Sequence, residues 1–128
     1  MFSVANPLRL TYNKSIMKLL VIGGTYFLGK AFVKELLAGY DAVRGELSVT
    51  LFNRGTRPLP AEVVDYAESR GIRLEQVRGD RRSAEDIASI SDESFDVIVD
   101  FCAYAKGDIR CVTDNLKSKF YQYIFVVI

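Results

Sequence analysis

Three glycines carry the first hint of chemistry in this chain. Gly23 and Gly24 follow the apolar run Leu19-Leu20-Val21-Ile22, and Gly29 comes as a helical pattern begins. A strand, a glycine turn and a helix in that order aim backbone N–H groups and a helix N-terminus at a phosphate. In the general dinucleotide fingerprint, one glycine makes the tight turn and another lets the backbone approach the pyrophosphate. The last allows close helix–strand packing. Here Gly23 or Gly24 serves the turn and Gly29 the packing. The middle position is Tyr26, whose ring must swing outward if a pyrophosphate is to lie on the backbone. The bland alternative is a tight turn with no ligand.

A second group stands at the end of the next apolar run, Leu47–Phe52, where Asn53 and Arg54 are followed by Arg57. A carboxylate there would hold the ribose hydroxyls of NAD and repel an extra phosphate. An arginine can instead grip the 2′-phosphate of NADP with paired hydrogen bonds. No carboxylate is present, so NADP is expected over NAD. The competing reading makes Arg54 and Arg57 solvated loop charges. Further on, Gly79 and Asp80 lie among Arg78, Arg81 and Arg82. With Arg54 these could form one basic rim that attracts phosphate. A plain solvated loop is an equal reading, and an RNA-binding patch is weaker because no aromatic platform interleaves the arginines.

Other candidates carry less. Cys102 is tempting as a nucleophile, but nothing near it in sequence supplies a base or a helix N-terminus. Free cysteine is usually a small buried hydrophobe. Cys111 reads as packing. Asp96 and Asp100 flank an apolar strand and read as solvated or capping groups. Histidine is absent, so acid–base work would fall to Tyr, Lys, Asp or Glu. The two cysteines have no spaced partner set, which argues against a zinc site or a disulfide framework. They fit a reducing compartment, hence a cytoplasmic protein. A net charge of +1 gives no global pull toward nucleic acid or membrane. No apolar stretch is long enough to span a bilayer.

The elements that must position these residues alternate. Strands are expected at Lys18–Ile22, Leu47–Phe52, Arg73–Val77, Phe95–Phe101 and Tyr121–Ile128. Helices are expected at Lys30–Tyr40, Ala61–Arg70, from Ser83 to about Ile90, and at Ile109–Lys117. The first helix presents Leu28, Phe32, Val33, Leu36, Leu37 and Tyr40 on one face, and the second Val63, Val64 and Ala67. Ser83 reads as an N-cap and Gly71 as a stop. Alternation of this kind predicts an α/β fold, a Rossmann-like doubly wound parallel sheet of about five strands with helices on both faces. The glycine turn after the first strand favours the order 3-2-1-4-5 over the flavodoxin-like 2-1-3-4-5. At 128 residues this is one domain. Its folded part begins near Met17, and residues 1–16 read as a disordered leader or an over-extended start. Their lack of acidic residues leaves a weak transit peptide open.

Gly23-Gly24-Thr25-Tyr26-Phe27-Leu28-Gly29 resembles the GGTxFxG signature of the NAD-dependent epimerase/dehydratase group, the extended and atypical short-chain dehydrogenases/reductases. The likeness continues through Leu51–Gly55, Gly79-Asp80 and Asp96–Asp100, and covers the N-terminal part of such a protein. It implies cofactor contacts along Gly23–Gly29 and at Asn53, Arg54, Arg57 and Gly79. Asp80 would accept from the adenine amino group. The loop holding Ala103 and Tyr104 would run beside the nicotinamide side. The family exchanges a proton through Tyr-x-x-x-Lys with a nearby Ser or Thr, while the cofactor exchanges hydride. Tyr26 and Lys30 match that spacing at the wrong end of the motif order. The resemblance places all three catalytic positions beyond Ile128, so no catalytic residue is expected here. The implied parent reactions are oxidation, reduction, epimerisation or dehydration, on a nucleotide sugar in one version. The competing class is a non-catalytic module for RNA or a regulatory nucleotide. An apolar fifth strand at the sheet edge is an aggregation hazard, so either truncation or self-association is expected.

Overall fold

The computed structural model describes residues 16–25, 27–41, 45–55, 57–90 and 94–127. In chain order the elements are β1 (Ile16–Ile22), α1 (Phe27–Gly39), β2 (Glu46–Asn53), α2 (Ala61–Arg70) and β3 (Arg73–Arg78). They continue with α3 (Ala84–Ala88), β4 (Ser94–Asp100), α4 (Asp108–Asn115) and β5 (Lys119–Phe125). The five strands form one sheet in the order β3-β2-β1-β4-β5. Every pairing is parallel, with Leu20 level with Thr50 on one side and Ile98 on the other. The expected strand order holds, and the flavodoxin-like order does not.

The apolar run in β1 splits by alternation, as side chains on a strand must. Leu19 and Val21 enter one core with Val33 and Leu37 of α1 and Val63 and Ala67 of α2. Leu20 and Ile22 enter the other with Phe52, Ile87, Ile98 and Val112. Both faces of the central strands are therefore covered, which is why they read as continuous apolar runs. Phe52 is fully buried, and burial of such a side chain contributes about 1.5–3 kcal/mol.

The boundaries refine the sequence reading. β1 begins at Ile16, one residue before the expected start of the fold. β5 runs Lys119–Phe125, so it starts and stops earlier than Tyr121–Ile128. Residues 1–15, Tyr26 and Ile128 lie outside the described residues. α2 ends as expected at Gly71, which takes φ +66° and donates back to Ala67 and Glu68. The Ser83 hydroxyl accepts from the Asp86 amide at 3.1 Å, the expected cap of α3. Two expected core residues sit outward: Leu28 and Val64 are both exposed. Among the described residues no helix is long and apolar enough to cross a membrane.

Candidate functional site

The turn after β1 is built so tightly that Gly23 and Gly29 are required. Gly23 has φ +85°, and its amide donates to the Phe52 carbonyl at 3.1 Å. A Cβ on Gly29 would lie 2.0 Å from the Gly23 carbonyl oxygen, so no other residue fits. Gly24 is less confined: a Cβ there would meet side-chain atoms of Leu51, Val21 and Val33 at 3.0–3.2 Å. Gly23 thus makes the turn, and Gly29 lets the first turn of α1 rest on it. The start of α1 carries no acidic side chain in its first turn, which leaves the positive end of the helix dipole uncompensated.

Above this turn, at the C-terminal ends of the strands, a cavity of about 440 Å³ opens between the loops. In an open α/β sheet this is the switch-point crevice, where β1 and β4 send their helices to opposite faces. Gly23, Thr25, Asn53, Arg54, Arg57, Gly79, Asp80 and Tyr104 all line it. These residues come from four separate loops. Gly24, Leu28, Gly29 and Ala103 do not line it; the first and third act through packing, and Leu28 lies along another groove. Phe27 opens α1. That other groove, apolar and larger, runs between α1 and the exposed faces of β4 and β5.

The loop after β2 is held by its own polar contacts. The Asn53 Oδ1 accepts from the Gly55 amide at 2.9 Å and from Gln76 at 3.3 Å. Its Nδ2 is buried and has no partner among the described residues. Gly55 has φ +73° and sits against the Arg78 side chain, whose Nε donates to the Arg54 carbonyl at 3.1 Å. Arg78 therefore supports the Arg54 backbone, while Arg54 and Arg57 are exposed.

The loop after β3 corrects the expected arginine rim. Arg81 is buried and paired with Asp100, which is itself fully buried. Arg82 is half-exposed but bonded to the buried Asp108 carboxylate at 2.9 Å. Asp100 is thus not a solvated or capping group. Its carboxylate also accepts from the Cys102 amide at 3.0 Å and the Tyr123 hydroxyl at 2.6 Å. Asp96 does act at a strand start, accepting from the Lys18 amide at 2.7 Å. The signal for this network was an acidic residue closing an apolar strand with arginines in the preceding loop. It was missed because charges near strand ends usually point to water.

The titration behaviour follows from these contacts. Burial alone would lower the Arg81 pKa, but hydrogen bonding and attraction to Asp100 raise it above the ordinary arginine value. Hydrogen bonding to Arg82 holds the Asp108 carboxyl at about 2, helped by the Ala105 amide. Burial, with the bond to Asp100, pushes the Tyr123 hydroxyl up. Burial also pushes the Cys102 thiol up, against the opposing pull of Arg81. A raised thiol pKa removes the thiolate that nucleophilic attack would need. Among the described residues no group of acidic, Cys or His side chains could hold a metal.

No model of a known protein family matches the sequence, and no curated protein matches it. Solved structures match in shape. An NADH-dependent reductase A1-R′ complexed with NAD is 16% identical with a TM-score of 0.51, over 80% of this chain and 47% of that one. A thiolation-reductase di-domain from an archaeal non-ribosomal peptide synthetase is 16% identical with a TM-score of 0.51, over 85% and 28%. An adenylation, ketoreductase and pseudo-Asub structure of a keto acid-selecting NRPS module is 15% identical with a TM-score of 0.52, over 73% and 8%. The chain spans less than half the length of each. At this level of identity the likeness shows the architecture, and the chain has a Rossmann-like fold with its crevice at the switch point.

Proposed function

We propose that the chain binds a nicotinamide dinucleotide in the switch-point crevice, and NADP in preference to NAD. The glycine turn supports the phosphate site: with Gly29 packed under Gly23, the α1 N-terminus lies close to the turn, where backbone amides can meet a pyrophosphate. The single observation that carries the NADP preference is the end of β2, where no carboxylate stands. Arg54 and Arg57 line the cavity there beside the buried, unpartnered Asn53 Nδ2. A phosphate offers acceptors only, so it suits that set better than a ribose diol does. Asp80 is the acceptor for the adenine amine, and the Tyr104 loop borders the nicotinamide side.

When bound, the nicotinamide would supply hydride chemistry; the residues of this chain bind and orient it. The whole protein's reaction then belongs to the reductase, epimerase or dehydratase class, with a nucleotide sugar as one substrate type. The same reading includes self-association. Among the described residues no strand pairs with the outer edge of β5, where Tyr121, Ile124 and Phe125 are exposed. Light scattering that shows a well-behaved monomer counts against self-association. Titration with NADP and NAD tests the cofactor. Salt-sensitive binding of RNA, with neither dinucleotide bound, would replace the reading by the RNA module.

A further inference from the structure

Beneath the cavity, the two loops that flank it are tied together by one guanidinium. Arg81 comes from the loop after β3, and its Nη1 donates to both oxygens of Asp100 at 2.5 Å. Its Nη2 donates to the Asp108 carbonyl at the start of α4. The same Asp100 carboxylate receives the Cys102 amide and, from β5, the Tyr123 hydroxyl. Arg81 Nε is buried without a partner among the described residues. An apolar pair of similar volume would hold a core as well or better. A buried ion pair that also strands one donor therefore calls for a role in placement.

The residue next to Arg81 is Asp80. Its Oδ1 accepts from the Arg82 amide at 2.9 Å, and its own amide donates to Asp86 at 2.8 Å. With Arg81 anchored on Asp100, Asp80 is held at the cavity from both sides. The Cys102 amide, on the same carboxylate, fixes the opposite loop.

We propose that Arg81 and Asp100 are positioning residues that set the spacing between the Asp80 loop and the loop after β4, so that the crevice between these loops is formed before a dinucleotide enters. This rests on the dinucleotide reading above. A preformed site loses less ordering free energy on binding.

The test is the full chain carrying Arg81→Met with Asp100→Asn, which removes the ion pair without leaving a lone buried charge. In the unliganded protein, amide hydrogen exchange at 79–83 and 102–105 should quicken about tenfold while β1 keeps its protection. NADP and NAD should both bind about tenfold more weakly, with the ratio of their affinities unchanged because Arg54 and Arg57 are intact. Parent-like exchange in the two loops, or parent-like affinity for both dinucleotides, overturns the proposal. A parent protein that binds neither dinucleotide defeats the cofactor reading alone, and the exchange result still decides whether the pair couples the loops. Should the double variant not fold, Arg81→Lys carries the test. Lysine keeps the charge but lacks the planar fork that reaches Asp100 and Asp108 together, so several-fold weaker binding is expected, and parent affinity overturns the proposal.

Discussion

Arg54 and Arg57 line one wall of the cavity and Arg81 and Arg82 another, and the two pairs have opposite environments. The first pair stands exposed on the loop after β2. In the second, Arg81 is buried on Asp100 and Arg82 is bonded to Asp108. The exposed Arg54 guanidinium can turn toward an incoming phosphate at little cost. One already matched to a buried carboxylate can leave only by stranding that carboxylate. Four arginines that look alike in sequence therefore divide into two that are suited to recognise a ligand and two that hold the site's shape.

The contrast is broken most directly by truncation. Arg81→Ala strands the Asp100 carboxylate and should cost about 3–5 kcal/mol in denaturant unfolding, whereas Arg54→Ala should stay within about 0.5 kcal/mol. Equal effects would erase the distinction. The next effect is acid sensitivity. The Asp108 carboxyl is held at about 2 by Arg82, below its unfolded value. The shift corresponds to about 2–3 kcal/mol, which solvent screening at the half-exposed Arg82 reduces to about 1–2 kcal/mol, present above pH 4 and lost as pH falls from about 4 to 2. Arg82→Gln should flatten that part of the stability profile.

Ligand affinity sharpens the other half. Arg54→Ala should weaken NADP binding about tenfold, or about 1.4 kcal/mol, and leave NAD binding unaltered. A matching loss for NAD would make Arg54 a general contact and remove the basis for the preference. The smallest effect is Ser83→Ala. Loss of its 3.1 Å bond to the Asp86 amide should cost about 1 kcal/mol in thermal unfolding, without changing the affinity ratio of the two dinucleotides.

Legibility in the sequence followed the locality of the physics. The strand order came from a glycine turn and a strand–helix alternation, both local. The Gly23-Gly24 pair, Gly29, Ser83 and Gly71 were readable because a turn, a close approach or a cap needs that residue type there, and the structure assigns the turn itself to Gly23. Asp100 was misread because its partners, Arg81 and Tyr123, lie in other elements, and nothing local distinguishes a buried strand-end carboxylate from a solvated one. The arginine loops failed in the same way. A cluster in sequence fixes charge, and only packing decides which members face a ligand. Tyr123, expected as part of an apolar edge, in fact turns its hydroxyl inward to that carboxylate.

The central claim is that the crevice binds a dinucleotide and that its β2 wall reads a 2′-phosphate. Calorimetric titration of the chain at low salt with NADP and then NAD tests it most directly. Saturable binding of both, with NADP tighter, is the predicted result. Tighter binding of NAD would contradict the role of Arg54 and Arg57, and binding of neither would contradict the site itself.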